Sequence, residues 1–290
     1  GDLSSLNAAQ IMDFLLNNGL WPFVKQRPFD VVANPMSTPK AIFVSGFDSA
    51  PLGVDFGYLL QGQEANFQTG IDALAKLTKG KVHLNTKLGE ASFLSKVKNA
   101  EINHFSGPHP AGNVGIQIHH LSPVNKGEIA WSVDAQAVAM IGRFLTTGVA
   151  DFSKKIALVG SEVKKPEYVK TWSCAAVGSI IDGKISEGDN RIISGNVLSG
   201  QQIASDGYLS FYSNVLTVIP EGRQPQFMGW LASNFHKFSL SHSYFSWLMP
   251  GKKYALNTNA NGEDRAFVMS GQYEDVLPMD IYPVHLVKAI

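Results

Sequence analysis

Residues 105–148 read FSGPHPAGNVGIQIHHLSPVNKGEIAWSVDAQAVAMIGRFLTTG, and this stretch decides the fold class. Pro108 and Pro110 fix φ and cannot donate a backbone hydrogen bond, so they stiffen the first loop. Gly107, Gly112 and Gly115 permit positive φ and close approach by another group. Ile116, Ile118 and Leu121 then pattern as a short strand. Asp134 is placed as the N-cap of a helix over residues 135–145, which stops at Thr146-Thr147-Gly148, a C-cap signal. A rigid Pro/Gly loop beside a strand and a helix reads as a tight structural turn or as an edge that meets a ligand or partner.

The flanking sequence extends this alternation. Residues 6–18 place Leu6, Ile11, Phe14 and Leu15 on one side of a helix, with Gly19 as its stop. Residues 40–44 are an apolar run entering Gly46, a strand leading into a turn. Residues 66–77 are helical, with Phe67, Ile71, Leu74 and Leu77 on one buried face. Residues 81–84 and 101–105 read as strands and 92–98 as a short helix. Strand and helix therefore alternate, which predicts an α/β layer with a mainly parallel sheet over residues 1–150. After Asp151 the pattern changes. Strands at 156–159, 169–172, 191–194 and 215–219 surround one short helix at 175–181, a small α+β roll over 151–222. Pro220-Glu221-Gly222 makes a turn. Residues 223–290 hold a helix (226–233), an aromatic loop, a hairpin through 257–262 and a helix from 279. The aromatics Phe227, Trp230, Phe235, Phe238, Tyr244, Phe245 and Trp247 serve a core or cover a partner, since aromatics anchor interfaces.

Composition narrows the function classes. The 290 residues carry 24 basic and 24 acidic side chains, and this balance argues against a nucleic-acid partner, which needs a basic surface. No run of apolar residues is long enough for a transmembrane helix; the best candidate, 130–145, is broken by Asp134, Gln136 and Arg143 and reads as an amphipathic helix. No signal peptide is visible. A single cysteine, Cys174, excludes an internal disulfide and an all-cysteine metal site. The chain opens on Gly1 and stops at Ile290 within an expected helix, so it reads as an excised segment. There is no G-x-G-x-x-G, no G-x-x-x-x-G-K-[ST], no C-x-x-C and no G-x-S-x-G. His119 and His120, adjacent on an expected strand, point to opposite faces, one toward the core and one exposed, and cannot share a metal. Asp48 reads as a turn residue and His109 as a loop histidine. No catalytic constellation and no metal site are assigned.

Four segments carry a resemblance: KAIFVSGFDSAPLGVDFGYLLQGQEANFQTGIDALAKL at 40–77, HPAGNVG at 109–115, VNKGE at 124–128 and RIISGNVLSG at 191–200. In this order they resemble the A subunit of the sodium-translocating NADH:quinone oxidoreductase, a bacterial respiratory sodium pump. The resemblance implies a Rossmann-like domain at 1–150, a β-grasp, soluble-ligand-binding domain at 151–222, and an aromatic-rich segment at 223–290 that leads into a helical region. It also implies a lipoyl-like domain before this region. The whole complex would pass electrons from NADH to ubiquinone with sodium export. It would use flavins (FAD, FMN, riboflavin) and an iron–sulfur centre. This chain would be a peripheral subunit on the cytoplasmic face of the inner membrane, docked on membrane subunits.

The fold is also similar to the flavin-bearing subunit of respiratory complex I and the C subunit of the Rnf complex, and the departures from them are informative. Where those relatives cradle a flavin phosphate in a glycine-rich loop, this chain reads GLWPFVKQRPFD at 19–30. Trp21 and Phe23 block backbone approach and Pro22 removes a donor, while Lys25 and Arg27 read as a solvated surface pair. Where the relatives carry N-A-D/E-E-x-E-P, this chain has Ser45-Gly46-Phe47-Asp48-Ser49-Ala50-Pro51, with Ser45 and Ala50 replacing the polar contacts. Phe267, Ser270, Tyr273 and Leu277 stand where four cluster cysteines would be, and an iron–sulfur cluster needs thiolates. No cofactor is therefore expected on this chain. A quinone or a partner protein is placed at Gly46, Phe47, Asp48, Pro108, His109, Pro110, Ala111, Gly112 and Asn113, because open α/β sheets bind ligands beyond their strand carboxyl ends. Two alternatives stand: a soluble small-ligand-binding module using the roll, and a flavin-dependent dehydrogenase.

Overall fold

The computed structural model describes residues 5–223, 228–229, 235–239, 242–261 and 266–290. Its contacts divide it into two compact units, one of residues 1–156, 170–173 and 271–290, the other of 157–169 and 174–270.

In the first unit, helix α1 (Ala8–Asn17) starts at a capping box. Asn7 accepts from the Gln10 N–H, and the Gln10 side chain accepts from the Asn7 N–H. Ile11 and Leu15, one turn apart, are fully buried. A 3-10 turn at Trp21–Phe23 leads to a hairpin of β1 (Lys25–Arg27) and β2 (Val31–Val32). Strand β3 (Ile42–Gly46) is followed by α2 (Phe56–Leu59) and α3 (Glu64–Lys76). Then come β4 (Val82–Lys87), β5 (Glu101–Phe105), α4 (Val114–Leu121), β6 (Ala130–Asp134) and α5 (Ala135–Thr147). The sheet order is β2-β1-β6-β3-β4-β5. Strands β6, β3, β4 and β5 run parallel, and the hairpin adds two antiparallel strands at one edge. This is a Rossmann-like layer.

Strand β3 is central, and Ile42, Phe43 and Val44 are fully buried, as a parallel strand covered on both faces must be. Phe43 shares a core with Ala41, Ala130 and Ile118, and Val114 and Leu121 pack against it. Helices α3 and α5 meet backbone to backbone. A Cβ on Gly142 would sit 1.7 Å from the Asn66 carbonyl oxygen, and one on Gly70 would sit 2.1 Å from that of Val138. Asp134 caps α5 by accepting from the Gln136 N–H at 2.8 Å, and Gly148 closes it in the left-handed region at φ 74°.

Three expectations for this unit are corrected. The short strand through Ile116, Ile118 and Leu121 is α4, because Val114, Ile118 and Leu121 fall at helical spacing on one buried face. Residues 130–134, read as part of an amphipathic helix, are the strand β6; only α5 after Asp134 is helical. Lys25 and Arg27 are not a solvated pair. Both are partly buried and close on Asp30, at 2.9 and 3.0 Å.

The second sheet has the order β10-β9-β11-β7-β8. Its elements are β7 (Ser153–Val159), β8 (Glu167–Trp172), α6 (Val177–Ile181), β9 (Asn190–Ser194), β10 (Gln201–Ile203) and β11 (Val215–Pro220). First and last strands, β7 and β11, are parallel neighbours at the centre, while β9 and β10 add antiparallel. That is the β-grasp arrangement. Arg191 holds the Glu221 carboxylate through two bonds of 2.8 Å, and the Thr258 hydroxyl donates to the same group. These bonds, Arg191's first, keep the Glu221 carboxyl below its ordinary pKa.

Of the helix expected at 226–233 only residues 228–229, a turn, are described, and Phe227 and Trp230 lie outside the described residues. No hairpin ladder forms over 257–261, and Gly262 is again outside. Tyr244 is buried and its hydroxyl donates to the Gly229 carbonyl at 2.7 Å, whereas Phe235, Phe238 and Trp247 are exposed. The chain continues through α7 (Gln272–Val276) and α8 (Pro283–Ala289), which is shorter than the helix expected from residue 279. Among the described residues, no helix is long and apolar enough to cross a membrane.

Candidate functional site

The parallel strands β3 and β4 end at Gly46 and Lys87, and the chain leaving β3 turns at once. Asp48 makes that turn. Its carboxylate accepts from the Ala50 N–H at 2.9 Å and from the Val54 N–H at 3.4 Å, an Asx-type closure. Residues 108–113 form a second loop that returns against the first. The His109–Pro110 peptide bond is cis. The Ala111 N–H donates to the Pro108 carbonyl, the Asn113 N–H to that of Pro110, and the Asn113 carbonyl starts α4.

The two loops meet at Ser49. Its Oγ accepts from the Gly112 N–H at 2.7 Å and lies 3.1 Å from His109 Nδ1. A Cβ on Gly112 would fall 2.5 Å from Ser49 N and 2.8 Å from the Phe47 carbonyl oxygen, so only glycine fits there. The Ser49 hydroxyl and His109 Nδ1 share one hydrogen bond, whose direction depends on the imidazole tautomer. Gly46, Phe47 and Gly112 are buried; Asp48, His109, Pro110 and Ala111 are half-buried; Pro108 and Asn113 are exposed. The structure therefore brings together the two segments named from sequence. Phe47 and Gly112 serve the packing, and the accessible polar groups are His109 and Asn113.

A buried polar chain supports this corner. Asn85, at zero exposure on β4, donates to Gln117 Oε1 at 2.9 Å, and Gln117, at zero exposure on α4, reaches the Ala111 carbonyl at 3.4 Å. Asn103 on β5 donates to Asn85 Oδ1 at 3.1 Å and lies 3.3 Å from His83 Nδ1. His83 stacks on Phe43 at 4.8 Å, and its burial lowers its pKa below the ordinary histidine value, with Glu101 opposing. Ser49, Asn85 and Gln117 were not singled out from sequence. The available signal was a polar residue at the end of an apolar strand and another inside an apolar helix, which implies a buried partner.

His119 and His120 lie on α4, not on a strand, and neither points into the core. Their rings sit edge to face at 5.3 Å. His119 Nε2 accepts from the Asp280 N–H, and His120 Nε2 lies 2.8 Å from the Pro278 carbonyl. Among the described residues, no group of three or more His, Cys, Asp or Glu could hold a metal. At the position of the relatives' flavin loop, Trp21 and Phe23 are buried. Trp21 donates to the Ala33 carbonyl at 2.7 Å and meets Trp131 edge to face at 5.3 Å. Both side chains therefore belong to the packed interior of this unit.

Residues 6–150 match the family model described as the NqrA second alpha/beta domain, and residues 155–205 match the NQRA C-terminal domain. The chain belongs to the NqrA family. It is 38% identical over 288 residues to the NqrA protein of the Na(+)-translocating NADH-quinone reductase of Yersinia pestis bv. Antiqua (strain Angola), covering 99% of this chain and 64% of that protein. The NqrA protein of Alcanivorax borkumensis is 39% identical, with 99% and 64% covered, and that of Hahella chejuensis 36%, with 100% and 65% covered. The chain thus spans just under two thirds of the length of these NqrA relatives. Among solved structures it is similar in fold to a NAD+-reducing [NiFe]-hydrogenase in the air-oxidized state. There the TM-score is 0.53 at 13% identity, with 74% of this chain and 47% of that one covered. That likeness concerns the fold alone.

Proposed function

We propose that this chain serves as the NqrA component of a sodium-translocating NADH:quinone oxidoreductase, a peripheral protein that docks on the other subunits, those in the membrane included, at the cytoplasmic face of the inner membrane. It carries no redox centre of its own and presents the corner formed by residues 46–48 and 108–113 to a quinone head group or a partner. The observation that carries this reading is the clamp of Ser49 on His109 and Gly112 at the strand carboxyl ends. It leaves the His109 ring and the exposed Asn113 amide as the accessible polar groups of the corner, and an amide N–H suits a ligand with carbonyl acceptors. The lost flavin cradle at Trp21 and Phe23 supports a role without its own flavin.

The test is saturation-transfer NMR of the purified chain with a short-chain ubiquinone, with a visible spectrum of the same sample. Specific transfer that is lost in His109→Ala and Asn113→Ala, without a flavin band, supports the reading. No transfer at saturating quinone refutes the quinone contact, and a flavin band refutes a chain without a redox centre.

A further inference from the structure

We propose that the first unit holds a binding site for a small organic anion, about the size of benzoate, between one face of α5 and the start of β7. A cavity of about 190 Å³ opens there. An engineered apolar cavity of about 150 Å³ accepts benzene, so this one has room for a ring-sized body. Gln136, Ala139, Met140 and Arg143 line it at helical spacing, so a single stripe of α5 forms one wall. Gln136 fixes the opposite wall by pairing its amide with both the N–H and the carbonyl of Lys155, at 3.1 and 2.8 Å.

The lining is divided by chemistry. Leu59, Leu60, Ala139 and Met140 supply an apolar side. Arg143, Lys154, Lys155 and Lys170 are the basic residues of the lining, and Asp151 is its one acidic residue. That carboxylate is already engaged, by the Ser153 N–H at 2.8 Å, the Ser153 hydroxyl at 3.0 Å and Arg143 at 3.2 Å. These bonds, the Ser153 N–H first, lower its pKa, so it stays ionised and still leaves an excess of positive charge. Arg143 also donates from Nη2 to the carbonyls of Asp151 and Ser153, at 2.6 and 3.2 Å. Its Nε is buried without a hydrogen-bond partner. A carboxylate is the anion whose charge and planar shape best match a guanidinium group. The apolar side favours a carboxylate on a short hydrocarbon body over a bare inorganic ion. This site shares no residue with the corner at residues 46–48 and 108–113, so the two readings fail separately.

The experiment titrates benzoate, inorganic phosphate and benzyl alcohol into the ¹⁵N-labelled full chain and follows amide shifts. Benzoate is expected to give saturable shifts at Met140, Lys155 and Lys170, with phosphate and benzyl alcohol each binding at least about tenfold more weakly, a difference of about 1.4 kcal/mol. Arg143→Gln is expected to abolish the shifts. Because Arg143 also ties down residues 151–153, Lys170→Gln gives the folded control, with benzoate affinity reduced about three- to fivefold, the range of one exposed charge contact. No saturable benzoate shift in the folded parent, or unchanged affinity in Lys170→Gln, overturns the proposal. Phosphate binding as tightly as benzoate would reduce the site to a cation cluster, and equal binding of benzyl alcohol would reduce it to an apolar void; either result overturns it.

Discussion

Gly112 and Gly115 stand three residues apart, and the structure predicts opposite responses to the same substitution. In Gly112→Ala the new Cβ would lie 2.5 Å from Ser49 N, 2.8 Å from the Phe47 carbonyl oxygen and 2.9 Å from Ser49 Oγ. Two of these neighbours are backbone, so no rotamer change relieves the clash and the loops must separate. Overpacking of this kind costs about 1–3 kcal/mol. Separation also breaks the 2.7 Å bond from the Gly112 N–H to Ser49 Oγ, worth about 1 kcal/mol. Destabilisation of about 2–4 kcal/mol is therefore expected. Gly115 lies in α4, and a Cβ there meets nothing within 4 Å. Gly115→Ala should stabilise by about 0.4–1 kcal/mol, because alanine loses less backbone entropy on entering a helix. Urea unfolding followed by tryptophan fluorescence measures both, since the buried Trp21 and Trp131 belong to the same unit. If Gly112→Ala stays within about 0.5 kcal/mol of the parent, the scatter of a neutral surface change, or if the two variants lose stability equally, the close loop contact is refuted.

Gly142→Ala should be more damaging, at about 3 kcal/mol or above, because its Cβ would lie 1.7 Å from the Asn66 carbonyl and force α3 and α5 apart; thermal melting of the purified variant checks this. His83 gives a pH signature. Burial lowers its folded pKa below the ordinary 6.5, so the folded state prefers the neutral ring. Its contribution to stability is fully present above pH 6.5 and is lost as pH falls from there through the lowered folded pKa. His83→Gln should flatten the stability curve in that acidic window and leave the alkaline side sloped as before, measured by urea unfolding from pH 8 to pH 5, on the order of one pH unit per step. An unchanged acidic slope would refute a buried neutral His83.

Local signals carried much of this chain. Asp134 before an alanine-rich run and Gly148 after it specify both ends of α5, because a cap needs only neighbouring N–H groups and one residue that tolerates positive φ. Strand β5 was legible residue for residue, and β3, β4, β7, β9 and β11 were legible within a few residues, since apolar runs bounded by turn formers are short-range patterns. That the chain holds a single cysteine, too few for a four-thiolate cluster, follows from composition alone. The loops of the candidate corner were also visible, because Pro and Gly act through their own φ.

What the sequence left open was settled by contacts between distant residues. Ile116-Gln117-Ile118 alternates like a strand, yet it is helical, because Val114, Ile118 and Leu121 find Phe43 while the intervening Gln117 finds Asn85. Alternation over three residues cannot separate the two periods; a buried partner for the polar residue can. The hairpin of β1 and β2 has little apolar pattern of its own, and pairing with β6 forms it. Ser49 became part of the corner only when Gly112 and His109 arrived from about sixty residues away. The cavity beside α5 likewise needs the helix, residues 151–155 and Lys170 in one place. Backbone preference acts over a few residues and is written in the local sequence; the burial of a polar group depends on which remote segment supplies its partner, and only the folded chain decides that.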